Sequence, residues 1–167
     1  MRHLFLYCLL LMLSPGCKKE QAPRVDIYML QSFTTTVDNS TIPATVSITN
    51  AVLAGAPLVR DEDIESYTRS TANFKLSRDI QSIIKDYSSD KAFAVTVDKQ
   101  PIYFGIFHPL HLSSMVFGLA TIAPTLNPKN ELPIRFALID GNATLLQLDK
   151  RNDSRIILSL KATGRLR

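Results

Sequence analysis

Phe93, Val95 and Val97 alternate with Ala94 and Thr96, and a second β-prone run from Ile102 to Phe107 follows Asp98-Lys99-Gln100-Pro101. Two such runs around a short polar turn predict a hairpin. Pro101 cannot donate to a ladder, so it is expected in or beside the turn. A hairpin alone is marginal in water, so the remaining chain must supply more strands or a covering helix.

Other segments fit that demand. Val25–Gln31 and Ile48–Leu53 read as strands, with a Thr-, Ser- and Asn-rich loop or irregular hairpin over 32–47 and a stop at Gly55-Ala56-Pro57. Asp61, Glu62 and Asp63 suit the start of a short helix carrying Ile64 and Tyr67, because acids there complement the helix dipole. Asn73–Leu76 reads as a short strand. Ile80, Ile83, Ile84 and Tyr87 fall at the spacing of one helical face, which predicts a helix over 78–88 capped by Ser77. Residues 108–115 read as loop, and Val116–Ile122 and Ile134–Ile139 as strands. Asp153 is the expected N-cap of a last helix carrying Ile156, Ile157 and Leu160 and ended by Gly164. Strands and helices mix without βαβ alternation, so the expected class is α+β, a mixed or antiparallel sheet with two main helices.

The amino terminus reads as a processing signal. Met1-Arg2-His3 is followed by an apolar block, Leu4–Leu13. As a helix it spans roughly 15 Å, half a bilayer core, which is too short to cross a membrane. Ser14-Pro15-Gly16 then precede Cys17 and the polar run Lys18-Lys19-Glu20-Gln21. This resembles the bacterial lipoprotein signal, in which a small residue precedes a cysteine that takes a diacylglyceryl group as a thioether. The resemblance implies cleavage between Gly16 and Cys17 and lipid on Cys17. It departs from the family at Ser14, where leucine is usual. The Cys-Lys-Lys-Glu ending looks like Bacteroidetes-type lipoproteins. The expected organisation is a signal over 1–16, a lipid-attached spacer over 17–24 and one α+β domain over 25–167.

Without the signal, 151 of the 167 residues remain, and loss of Arg2 takes the formal charge from +4 to +3. Lysines and arginines are scattered, so no nucleic-acid partner is expected. Both cysteines, Cys8 and Cys17, belong to the signal or its edge, which leaves the domain no disulfide and no thiol chemistry.

Residues 74–109, FKLSRDIQSIIKDYSSDKAFAVTVDKQPIYFGIFHP, resemble the periplasmic head of the SecD export subunit, in which an extended segment, a helix and a strand–turn–strand follow one another. That family usually has Asp-Gly in the turn, where Asp98 is followed here by Lys99. The resemblance implies a shared fold and carries over no catalytic residue. APLVRDEDIESY, FGIFHP and DKRNDSRI together look like an uncharacterised group of Bacteroidetes lipoproteins, which implies no activity.

Candidate sites are few. His108 and His111 form an HxxH pair, but Pro109 disfavours the helix that would bring them together and no third ligand is indicated, so surface or packing roles are expected and no metal. Asp61-Glu62-Asp63 lacks the alternating ligands and glycine of a calcium loop. Asp149, Lys150, Arg151, Asn152, Asp153 and Arg155 form a polar cluster before the last helix. It reads as a capping turn, and Lys150, Arg151 and Arg155 are also candidates to grip a ligand or partner. Among the aromatic residues Tyr28, Tyr67, Tyr87, Tyr103, Phe104 and Phe107, the adjacent Tyr103 and Phe104 should face opposite sides of their strand, so at least one is expected to be exposed and both are candidate contacts. No nucleophile elbow, P-loop, dinucleotide fingerprint or zinc-protease helix is present, so no catalytic residue and no cofactor are expected.

The expected function is therefore that of a non-enzymatic envelope lipoprotein, anchored through Cys17 with the outer membrane favoured, that binds or scaffolds another envelope protein. The alternative is a small-molecule or glycan-binding accessory lipoprotein. Labelled palmitate should enter the chain, and Cys17→Ala should both abolish labelling and release the protein from the membrane fraction. Retention of the unlabelled variant would exclude a lipid anchor.

Overall fold

The computed structural model describes residues 22–125 and 127–167. Gly16 and Cys17 lie outside the described residues. No helix among the described residues is long and apolar enough to cross a membrane.

The strands are β1 (Val25–Asp38), β2 (Thr45–Val59), β3 (Ile64–Thr68), β4 (Asn73–Leu76), β5 (Ala92–Val97), β6 (Gln100–Phe107), β7 (Ala120–Ile122), β8 (Glu131–Pro133) and β9 (Arg135–Phe136). The helices are α1 (Gln81–Ile84), α2 (Ala143–Leu148) and α3 (Ser154–Ala162), with a 3-10 turn at Asp61–Asp63. The fold is α+β and dominated by sheet. One sheet has the order β2-β1-β5-β6-β7-β9, antiparallel except for the β6–β7 pair, and the other is antiparallel β3-β4-β8.

Alternation along the central strands divides the interior in two. Val25 and Ile27 of β1, Phe93, Val95 and Val97 of β5, and Tyr103 and Phe107 of β6 enter one core. The second sheet covers that face with Ile64, Tyr67, Phe74, Leu76 and Leu132, and α3 adds Ile156 and Leu160. On the opposite face Leu30, Ala92, Ala94 and Ile106 join Ile48 of β2 and Leu119 in a smaller core. The β1–β2 arm reaches the far side of the sheet, where the Val46 N–H donates to the Phe117 carbonyl at 2.8 Å.

The expected 93–107 hairpin is present with a tighter turn. Asp98 (φ 48°) and Lys99 (φ 65°) make a two-residue connection, and both positive angles suit the right-handed strand twist. Pro101 lies inside β6 at a register shift, with Thr96 opposite Pro101 and Val95 opposite Tyr103. The bulge accommodates the missing donor.

Other expectations are corrected. The helix over 78–88 shortens to α1, and three short helices replace two main ones. The Ser77 N–H goes to the Asp63 carbonyl and the Ile80 N–H to the Lys129 carbonyl, so tertiary partners satisfy the backbone that a longer helix would use. Ser77 is not a cap, since the residue before α1 is Ile80. Ile64 and Tyr67 lie on a strand, not a helix, because β4 pairs with β3 on one side and the chain end on the other. The Tyr67 N–H donates to the Arg165 carbonyl, and its carbonyl accepts from Arg167 N, both at 2.8 Å. The arm over 32–47 and the Gly55-Ala56-Pro57 segment are largely strand, while 116–119 and 137–139 are not. Asp153 does cap α3, accepting from Arg155 N at 3.0 Å. Gly164 (φ 71°) ends it, with Gly164 N bonded to Lys161 O and Arg165 N to Leu160 O, the pair of bonds that closes a Schellman motif.

Gly105 sits where β6 meets β7, and a Cβ there would strike the Phe93 ring and the Ala120 carbonyl. Gly105→Ala should cost about 1–3 kcal/mol in urea unfolding, the usual penalty of overpacking. Gly55 on β2 faces open space, so Gly55→Ala should instead add about 0.5–1 kcal/mol by lowering unfolded-chain entropy. Equal effects would contradict the packing at Gly105.

Candidate functional site

The short β7 creates the most distinctive concavity. It pairs with β6 only from Gly105 to Phe107. Upstream, the chain turns away to meet β2, and Gly118 makes the turn. Its φ is +87°, and a Cβ would lie 2.8 Å from the Val46 carbonyl, a conformation and an approach that suit glycine alone. A cavity of about 210 Å³ opens between Ile102, Tyr103 and Phe104 on one side and Gly118, Leu119 and Ala120 on the other. Ser47 and Ile48 of β2, Phe136 of β9, and Leu148, Lys150 and Arg151 complete the wall.

Four of the five candidate contact residues therefore converge: Tyr103, Phe104, Lys150 and Arg151 all line this cavity. Arg155 does not, because its guanidinium returns to its own cap, Asp153, at 2.8 and 2.9 Å. Phe104 and Tyr103 do occupy opposite faces, Phe104 against the smaller core and Tyr103 in the larger. Tyr28, Tyr67 and Phe107 are buried and serve packing, whereas Tyr87 and Phe104 are half-buried.

Charge in the wall is unevenly committed. Arg151 Nε and Nη2 donate to the two carboxylate oxygens of Asp149 at 2.9 and 2.7 Å, and Nη1 donates to the Ile134 carbonyl at 3.0 Å. The guanidinium also lies over the Phe136 ring, 5.9 Å from its centroid. Burial would raise the Asp149 pKa, but the bonds from Arg151 outweigh it and the carboxyl titrates below its ordinary value. Arg151 is therefore a structural clamp tying its own turn to residues 134–136. Lys150 is exposed and makes no ion pair with a carboxylate among the described residues.

Two buried tyrosines behave differently beside that clamp. The Tyr67 hydroxyl donates to the Arg151 carbonyl at 2.8 Å, while the Tyr103 hydroxyl has no hydrogen-bond partner. Burial pushes the Tyr67 phenol up to about 12 and holds that of Tyr103 well above the ordinary range.

His108 Nε2 lies 2.9 Å from the Ser114 carbonyl and His111 is exposed. Among the described residues no group of three His, Cys, Asp or Glu side chains is arranged to hold a metal. The acidic run is likewise bound up in the fold. Asp61 accepts from Arg165 Nη2 at 2.7 Å and Val25 N at 2.8 Å, and Asp63 from Arg78 Nε at 3.0 Å.

Sequence reading missed Ser47, Ile48, Ile102, Leu119, Phe136 and Leu148. Their convergence depends on the curl of the arm and the early departure of β7, which have no local signature apart from Gly118. No protein-family model, curated protein or solved structure gives a significant match to the chain.

The tyrosines yield a paired test. Tyr67→Phe should cost about 1–2 kcal/mol in denaturant unfolding, because the Arg151 carbonyl loses its donor. Tyr103→Phe should be neutral or stabilising by up to about 1 kcal/mol, since it removes a polar atom that has no partner. The folded Tyr67 value lies above the unfolded value near 10, so its contribution is complete below pH 10 and lost as pH rises through about 12. Tyr67→Phe should flatten the stability loss over that window.

Proposed function

We propose that this chain is an envelope lipoprotein, held to a membrane by lipid on Cys17, whose domain binds another protein and catalyses no reaction. The observation that carries this reading is the set of large apolar side chains left outside the core between residues 138 and 158. Leu138, Ile139, Leu146, Leu148 and Leu158 are all exposed, Leu146 by 65% and Leu158 by 63%. Polar and charged residues, among them Lys150 and Arg155, lie among them. An exposed apolar patch rimmed by polar residues is a usual mark of a protein contact.

The spacer over 17–24 supports the same reading, since it joins β1 directly to the anchor and would hold the domain close to neighbouring envelope proteins. The outer membrane remains the favoured address. The resemblance of residues 74–109 to the SecD head belongs with this proposal, because that head is a structural module in an assembly. A second reading, a small-molecule or glycan-binding accessory lipoprotein, is favoured by the cavity beside β6. Its largely apolar lining suits an apolar body better than a sugar.

A photo-crosslinking amino acid placed at Leu146 in intact cells should capture one defined envelope protein, while the same residue at exposed Lys85 should not. No adduct at 146, or the same adducts at both positions, would overturn the protein-binding reading.

A further inference from the structure

We propose that the open side of β1 over Thr34–Asp38 pairs antiparallel with the same segment of a second copy of the chain, about a two-fold axis at Thr36. This assignment depends neither on the protein-binding reading nor on a lipid anchor.

Unequal strand pairing leaves the edge open. Pairing of β1 with β5 ends at Met29–Phe93, while pairing with β2 runs on to Asp38. Beyond Met29, β1 therefore has a strand on one side only. From Gln31 to Asp38 every residue except Phe33 is exposed.

Backbone geometry identifies the free groups. The Val46 N–H donates to the Phe117 carbonyl, away from β1. Residues directly opposite in an antiparallel pair turn their backbone groups either toward each other or both apart. Val37 lies opposite Val46, so its N–H and carbonyl point away from β2. Thr35, two residues back in an unbroken register, does the same. Among the described residues neither has a backbone partner on that side.

Sheet edges are normally blunted by lysine, proline, bulges or shortness. Thr34–Asp38 keeps a regular register, and Thr34, Thr35, Thr36 and Val37 are β-branched residues that favour strands. The other edges are better protected. Residues 165–167 bond to β3 at Tyr67, β8 has three residues and β9 two, and β2 is irregular beyond Thr49.

Charge selects the occupant. Asp38 is the only charged residue from Ile27 to Val59, although 20% of the chain is charged. Such an edge offers a foreign charged segment nothing to select it, whereas its own copy brings no repulsion. A two-fold axis at Thr36 uses the whole regular segment, as an isologous contact requires. It sets Thr35 opposite Val37 in hydrogen-bonded pairs, Thr36 opposite Thr36, and Asp38 opposite Thr34, so the two carboxylates stay apart. It also covers part of Val37, which is 54% exposed. A strand pair this short buries less than the roughly 1,000 Å² of a stable interface, so the dimer is weak and trapping is the way to read it.

The purified full chain in detergent, carrying single added cysteines, would be oxidised with copper phenanthroline and run on non-reducing gels. The unaltered chain supplies the background from its own cysteines. At Thr36 the paired Cα atoms would lie about 4.5 Å apart, within disulfide range. At Thr34 they would lie about 14 Å apart, beyond it. Thr36→Cys should therefore give at least tenfold more reducible dimer above background than Thr34→Cys. Thr35→Pro removes a donor that β2 does not use, so in the Thr36→Cys chain it should cut the dimer about tenfold with the circular dichroism unchanged. Val37→Lys should do the same by placing charge on the edge. A Thr36→Cys dimer no stronger than that of Thr34→Cys, or one that neither Thr35→Pro nor Val37→Lys weakens, would overturn the proposal. Oxidation in intact cells that joined Thr36→Cys to a different polypeptide, with no dimer of the chain itself, would also overturn it and assign the edge to another protein.

Discussion

Every side chain of β5 is buried, and the rest of the fold answers to that constraint. A strand with no wet face needs cover on both sides, and in this chain the two covers differ. Phe93, Val95 and Val97 meet a second sheet and α3, whereas Ala92 and Ala94 meet the long β1–β2 arm. The small residues lie on the arm's side, where they let Ile48, Leu119 and Leu30 approach the sheet closely. Larger side chains there would hold the arm away and open the smaller core to water.

The cavity follows from how that second cover is closed. The arm must be tied at its far side, and the Val46–Phe117 hydrogen bond ties it. The segment that supplies Phe117 cannot also continue beside β6, so β7 begins only at Ala120. The space left along residues 102–104 is lined mainly by apolar side chains. Arg151 fixes the remaining wall through its bonds to Asp149 and Ile134, so the shape rests on side chains whose own positions are held.

Local patterns in the sequence were legible where local physics decides the structure. The β5–β6 hairpin, the Asn73–Leu76 strand, the Asp153 cap and the Gly164 terminus all rest on interactions within a few residues, and each is present. Tertiary pairing overrode the rest. Ile80 and Ile84 are buried as their spacing requires, but Asp63 and Lys129 take the backbone hydrogen bonds that would have lengthened α1. Ile64 and Tyr67, three apart, fit a helix or a strand equally well, and the carboxy-terminal residues settle the choice by pairing with Tyr67. Of the candidate site, Tyr103, Phe104, Lys150 and Arg151 were legible as residue types. That they share one cavity was not, since β2 and β9 reach it from far away in sequence.

The cluster from Asp149 to Arg155 shows why residue type alone does not assign a role. Asp149–Arg151 and Asp153–Arg155 are both acid–arginine pairs two residues apart, with similar hydrogen-bond lengths. Arg155 is largely exposed, so its pair is screened by water and adds little beyond the cap that Asp153 provides. Arg151 is largely buried, reaches across to Ile134 and stacks on Phe136, so its pair joins segments distant in the chain. Lys150 lies between these pairs and belongs to neither. Its exposed ammonium still helps hold both carboxyls below their ordinary values through space, so it supports the two pairs without joining either.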